Sequence, residues 1–215
     1  HALFLTLMDV LFHSGFTMPW TEEQFMESNK SDISRVHFTI WEAGIGSPVD
    51  LENTTHEHIL RRTEIMRLLL ILLSKPMYVT KETLCMSSMQ ALEFMTCELE
   101  RPVVLSFLCS LLNTVANYRQ AERWKILGAD AVRDTYTSLC LEMLCVLLSY
   151  QPASKNSNLF LFYARKLYRE SDFLFLMNGT GKIFRESMAV TSAAFEFTKG
   201  RSPFGKAPEE QGCVV

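Results

Sequence analysis

The sequence lacks the short patterns that usually mark catalytic and metal-binding proteins. Its six cysteines include no Cys-x-x-Cys pair, so neither a zinc ribbon nor a thioredoxin-like redox site is indicated. All five histidines lie within the first 58 residues, and no Gly-x-Ser-x-Gly elbow is present, which disfavours a serine or cysteine nucleophile with a histidine base. We therefore identify no catalytic, metal-binding or cofactor-binding residue and expect that the chain is not an enzyme.

Long apolar runs and a strong net charge are also missing. The densest apolar run, residues 68–73, has six residues, well short of the roughly 18–20 that span a bilayer. A net charge of −3 offers no electrostatic basis for binding nucleic acid. Arg61, Arg62 and Arg67 do cluster, but glutamates alternate with them, so we interpret this segment as a solvated helix face.

Cysteine usage indicates the redox environment. Cys109, Cys140 and Cys145 lie inside apolar helical patterns, where a free cysteine packs as a small hydrophobic residue. The absence of a disulfide-like spacing favours a reducing, cytosolic environment.

What the sequence does contain is a succession of apolar stripes with helical spacing. The connections vary in length, and no parallel-sheet pattern interrupts them. This order predicts an all-α fold, in the form of an irregular α-solenoid, an armadillo- or HEAT-like helical array. The predicted helices cover residues 1–12, 57–75, 86–95, a segment from Pro102 to about 118, 132–150, 158–168, and a last segment capped by Ser171 or Asp172.

Local signals define several of these helices. Thr55 is a candidate N-cap for the helix over 57–75, and Pro76 is expected to end it. In the first helix the predicted buried stripe includes Leu3 and Leu7. The helix over 132–150 is apolar on two sides, which predicts a position in a middle layer.

Two short patterns resemble ligand sites but lack the required context. The segment 56–58 has histidines two residues apart, which point to different faces of a helix and do not fit the i,i+4 spacing of a metalloprotease. The Gly-x-Gly-Lys string at 179–182 lacks the preceding strand and the spacing of a phosphate loop.

Trp41, Tyr78 and Tyr118 are candidate contacts with protein partners, and buried packing is the alternative role for each.

Several segments, taken in order, resemble the high-temperature-induced dauer-formation protein family, relatives of dymeclin. The first segment that carries the resemblance is Trp41-Glu42-Ala43-Gly44-Ile45-Gly46. The whole resemblance covers roughly residues 3–183. The other segments that carry it are 66–70, 77–79, 110–114 and 163–175. The resemblance implies an internal fragment of a longer protein, with residues 1–188 forming a segment of the helical array and residues 189–215 a disordered or divergent tail.

The resemblance also implies a function. Members of this family are expected to be peripheral proteins on the cytosolic face of the Golgi, acting in vesicle trafficking and secretory cargo sorting. The fragment would then be a non-enzymatic scaffold that contacts other proteins of the secretory pathway, with membrane association supplied by parts outside it. A generic armadillo-like adaptor and a helical regulatory domain of an enzyme are the alternatives.

Overall fold

The structure is a computed structural model that describes residues 1–20, 35–47, 54–78, 80, 89–118, 129–152 and 156–200. The cysteines at positions 85 and 213 lie outside these ranges, as does the part of the predicted tail beyond residue 200.

Helices account for most of the described chain, which confirms the all-α class. Within the described ranges β-pairing is limited to isolated bridges, such as the antiparallel one between His13 and Val36. The repeating stack of a solenoid stays a prediction. The α-helices are α1 (Ala2–Leu11), α2 (His56–Leu73), α3 (Gln90–Glu93), α4 (Arg101–Ala116), α5 (Ala129–Ser149), α6 (Leu159–Ala164) and α7 (Glu170–Gly200), with a 3₁₀ turn at Lys75–Tyr78 and a π-helical turn at Phe94–Glu98.

The face that the first helix buries matches the predicted stripe only in part, because it includes Leu7 but not Leu3. Phe4, Leu7, Met8 and Leu11 are buried, at i, i+3, i+4 and i+7. Leu3, which the sequence places on the buried stripe, is 53% exposed. The prediction was wrong here because nearly every position of this short helix is apolar, so the pattern does not distinguish the face that meets α2.

Helix α2 begins at a capping box. The Thr55 hydroxyl accepts a hydrogen bond from the His58 backbone N–H, and the His58 Nδ1 atom accepts one from the Thr55 backbone N–H at 3.1 Å. This confirms Thr55 as the N-cap, with histidine in the place that glutamate or glutamine usually occupies. The helix ends at Leu73, and the chain tightens into the 3₁₀ turn that contains Pro76.

The capping box makes the stability of α2 depend on pH. Partial burial, followed by the nearby charges of Arg62 and Arg61, lowers the pKa of His58 below its ordinary value of 6.5. The folded state therefore binds fewer protons than the unfolded state, so stability is retained above pH 6.5 and falls as the pH drops through the lowered pKa. We expect His58→Gln, which preserves the box, to flatten part of this decline in thermal melts between about pH 7.5 and pH 5.5. Melting curves with the same pH dependence in both proteins would contradict the assignment.

Helices α4 and α5 form the centre of the described chain. Val104, Phe107 and Leu111 of α4 have no exposed surface. Helix α5 packs against α2, α4 and α6, as its two apolar sides predict. One of its predicted buried residues, Leu141, is instead 45% exposed.

No single helix among the described residues is both long enough and apolar enough to cross a membrane. One pair passes this test jointly by length and composition, namely residues 90–98 together with α4, and the two are bent by 100° relative to each other.

The last helix is longer than the sequence predicts. It begins at Glu170, before the expected cap, and continues to Gly200, so residues 189–200 are helical. The contacts divide the chain into two units between Thr180 and Gly181. In the first unit, α7 comes so close to the end of α4 that a Cβ atom at Gly179 would lie 2.4 Å from the Ala116 carbonyl oxygen.

A candidate ligand site beside Trp41 and Arg62

A row of polar side chains on the otherwise apolar helix α4 holds the loop that precedes α2. The Ser110 hydroxyl accepts a hydrogen bond from the Trp41 backbone N–H at 3.2 Å. The Thr114 hydroxyl accepts one from the Trp41 indole N–H at 3.0 Å. The Ser106 hydroxyl donates to the Phe38 carbonyl oxygen. The segments 41–46 and 110–114, which carry much of the family resemblance, are therefore bound to each other.

Asn113, in the same row, makes three hydrogen bonds to the loop. Its Oδ1 atom accepts from the Ile45 backbone N–H at 2.8 Å. Its amide nitrogen donates to the carbonyl oxygens of Glu42 at 2.9 Å and Ile45 at 3.1 Å. Asn113 has no exposed surface, so these bonds satisfy loop groups that water does not reach.

The turn at 44–47 requires glycine. Gly44 has a φ of +141°, in a region that residues with a Cβ atom rarely adopt. A Cβ atom at Gly44 would also lie 2.7 Å from the Asn113 Oδ1 atom and 2.7 Å from the Phe175 ring. Gly44 thus lets the backbone approach α4 closely enough to bond with Asn113.

Trp41 lies at the centre of this arrangement and is only 2% exposed. Its ring lies 5.3 Å from Phe12, 6.2 Å from Phe107 and 6.5 Å from Tyr136, measured between centroids. Of the two roles considered for Trp41, this burial supports packing in the core, because the ring surface is already used there. The indole also forms one wall of a cavity.

Arg62 corrects one interpretation of the sequence. It is 1% exposed and does not belong to the solvated face proposed for the arginine cluster. Its Nε–H donates to the Thr17 carbonyl oxygen at 2.8 Å, one terminal nitrogen points at the Met18 sulfur at 3.4 Å, and the guanidinium lies 5.2 Å from the Trp41 ring centroid. Burial lowers the pKa of Arg62, but a guanidinium remains charged at physiological pH.

A cavity of about 170 Å³ lies where these groups meet. Its walls include Trp41, Glu42, Arg62, Thr114, Arg133 and Tyr136. The Glu42 carboxylate pairs with Arg133 at 2.9 Å near the outer side. Among the described residues, no carboxylate lies within ion-pairing distance of Arg62.

Tyr136 is the second unusual group in the wall. It is 3% exposed, and its hydroxyl has no partner at hydrogen-bonding geometry in the described part of the chain. Burial raises the pKa of Tyr136 well above its ordinary value, so the hydroxyl stays protonated and can donate. Burial also raises the pKa of the nearby Cys140 thiol to about 12, so that thiol is a poor nucleophile.

The other predicted residues lie elsewhere. Tyr78 is 82% exposed in the 3₁₀ turn after α2, and Tyr118 is partly buried just beyond the end of α4. The structure does not bring Tyr78 or Tyr118 into the cavity, and both stay candidate partner contacts. Cys109 and Cys140 are buried as predicted, whereas Cys145 is exposed.

The two short patterns fall in helices. Residues 56–58 form the first turn of α2, and residues 179–182 lie inside α7 rather than in a loop after a strand. Over the described ranges, no three or more histidine, cysteine, aspartate or glutamate side chains are close enough together to hold a metal ion.

Sequence reasoning missed Arg62, Asn113 and Tyr136. A signal existed for Asn113, because Ser110, Asn113 and Thr114 repeat at i, i+3 and i+4 and so share one face of an apolar helix. No local signal distinguishes Arg62 from Arg61 and Arg67. Its burial depends on Thr17 and Met18, which lie 45 and 44 residues away in the sequence.

Comparison with known proteins connects this architecture to a family. The sequence profile of the family described as High-temperature-induced dauer-formation protein matches residues 1–209. The Ubp5-interacting protein ftp105 of Schizosaccharomyces pombe is 28% identical over 210 residues, covering 87% of this chain and 21% of that protein. Protein HID1 of Homo sapiens is 26% identical over 219 residues, covering 88% of this chain and 27% of that protein. No solved structure matches significantly.

The chain thus spans about a fifth to a quarter of the length of these relatives. The profile match includes the docked segments 41–46 and 110–114 and every described helix. A match over nearly the whole chain is decisive, and the chain belongs to the high-temperature-induced dauer-formation protein family.

Proposed function

We propose that this chain is a non-enzymatic scaffold segment of a peripheral Golgi protein that acts in vesicle trafficking and secretory cargo sorting. The observation that carries the proposal is the family match over residues 1–209. A relative named for its interaction with Ubp5 supports a role in binding other proteins. In this proposal the helices form part of an irregular α-solenoid on the cytosolic side of the membrane.

Exposed apolar side chains support a role in protein contacts. Leu68 and Ile71 of α2 are 42% and 67% exposed. Phe173 and Met177, in the first turns of α7, are 58% and 55% exposed. Apolar surface of this kind is typical of contacts with further parts of a longer protein or with partner proteins. Membrane association would come from parts of the protein outside this chain.

Membrane flotation of the full-length protein tests the proposal. We expect the protein to co-float with Golgi membranes and to be released by a high-salt or alkaline wash, as a peripheral protein is. A protein that stays entirely in the soluble fraction, or that co-floats with another organelle, would contradict the proposed location.

A variant of Tyr78 tests the scaffold role separately. Tyr78→Ala removes a side chain that is 82% exposed, so the fold should be retained. We expect this variant to float normally and to recover fewer secretory-pathway proteins on affinity purification. Tyr168→Ala, at a side chain that is 87% exposed, is the matched control and should recover them fully. Equal recovery with both variants would remove Tyr78 from the proposed contact.

A further inference from the structure

Arg62 has more hydrogen-bond donors than the described chain uses. A guanidinium carries five N–H groups, and here one meets the Thr17 carbonyl oxygen and one points at the weakly accepting Met18 sulfur. At hydrogen-bonding geometry the remaining donors meet no other described group, although the Tyr136 hydroxyl and the Glu42 charge both act on the guanidinium. Arg62 also lines the cavity. A buried charge left without an opposite charge is costly, so a natural role for such a group is to meet a ligand.

The Tyr136 hydroxyl provides an independent second observation. It is buried, has no partner at hydrogen-bonding geometry among the described residues, and lines the same cavity as Arg62. Because the hydroxyl stays protonated, it can donate to any acceptor that enters the cavity. Two unsatisfied donors of different chemistry facing one space indicate a ligand with several acceptor atoms.

The charges of the cavity walls indicate the sign of the ligand's charge. Arg62, Arg133 and Glu42 line the cavity, so its named walls carry two positive charges against one negative charge. We propose that this cavity binds an oxyanion, a carboxylate or phosphate group, held by the Arg62 guanidinium and the Tyr136 hydroxyl.

Size and geometry agree with a small group. A volume of about 170 Å³ exceeds the roughly 10–15 Å³ that one water needs on this measure, yet it is too small for a dinucleotide. The Arg62 guanidinium carbon lies 5.2 Å from the Trp41 ring centroid, so the ring covers one face of the guanidinium. A ligand would therefore approach the edge of the guanidinium plane, where bidentate contacts with oxyanions form.

Calorimetric titration of the full-length protein with inorganic phosphate, and separately with acetate, tests the proposal at constant ionic strength with chloride as the reference. We expect saturable binding of at least one of the two, and the stronger binder identifies the group. Arg62→Met should weaken binding at least about tenfold, because a charge-assisted contact is lost. Tyr136→Phe should weaken it by about threefold to tenfold.

Arg67→Met is the matched control, because Arg67 lies on the same helix, is exposed and pairs with Glu64 outside the cavity. This variant should bind as the parent protein does. Equal losses with Arg67→Met and Arg62→Met would show general charge attraction and overturn the site. If Arg62→Met does not fold, Tyr136→Phe decides: unchanged affinity overturns the proposal, and weakened affinity supports it.

A parent protein that binds neither anion would also overturn the proposal, and would indicate that a carboxylate of its own chain already neutralises Arg62. Glu42 is the candidate in that case, since its charge acts on Arg62. The oxyanion proposal does not depend on the trafficking role. Flotation of the Arg62→Met protein tests the trafficking role separately from anion binding.

Discussion

Replacing Asn113 with alanine is expected to lower the free energy of unfolding by about 3–5 kcal/mol, because two buried hydrogen bonds and one partly buried hydrogen bond are lost together. The Ile45 N–H and the carbonyl oxygens of Glu42 and Ile45 would then lose their Asn113 partner. Urea denaturation of the 215-residue chain, followed by circular dichroism, measures the change. Tryptophan fluorescence, to which Trp41 contributes as one of three tryptophans, should change in the same transition.

Asn178→Ala is the matched control, since Asn178 lies within a helix and its side chain is exposed. The same chemical change there should alter stability by no more than about 0.5 kcal/mol. If Asn113→Ala behaved like Asn178→Ala, the docking of the loop on α4 would not be a main source of stability.

Replacing Gly179 with alanine is expected to lower the free energy of unfolding by about 2–3 kcal/mol, although alanine is the better helix former. The new methyl group would lie 2.4 Å from the Ala116 carbonyl oxygen and 2.5 Å from the Ala116 Cα atom. Both are backbone atoms, so α4 and α7 would have to move apart. A lower melting temperature and a lower urea midpoint are the expected results.

Gly181→Ala provides a control of opposite sign in the same helix. A Cβ atom at Gly181 would meet nothing within 4 Å, so only helix propensity should change. This variant should be more stable by about 0.5–1 kcal/mol. Stabilisation by both substitutions would show that the close approach of α4 and α7 is absent in solution.

Much of the secondary structure follows from local pattern. The helix predicted from Pro102 to about residue 118 is confirmed as α4, and its buried residues Val104, Leu108 and Leu111 recur at helical spacing. Thr55 is recognisable as a cap because its side chain acts within one turn. An error arose where apolar residues occur on nearly all sides of a helix, as at Leu3.

Local sequence patterns could not predict the candidate cavity. Arg61, Arg62 and Arg67 are chemically equivalent in the sequence, yet only Arg62 is buried. Its neighbours there include Thr17 and Trp41, which come from distant parts of the chain. Tertiary packing therefore decides which of the three arginines is buried.

The sequence by itself determined the helical class, the capping of α2 and the family, because helical periodicity and ordered motifs are local properties. The tertiary structure decided that Trp41 is a core residue, that Asn113 holds the 41–46 turn, and that Arg62 and Tyr136 share one cavity. The physical reason is that burial and hydrogen-bond satisfaction depend on groups brought together from distant segments, as in the bond between Trp41 and Thr114, which are 73 residues apart.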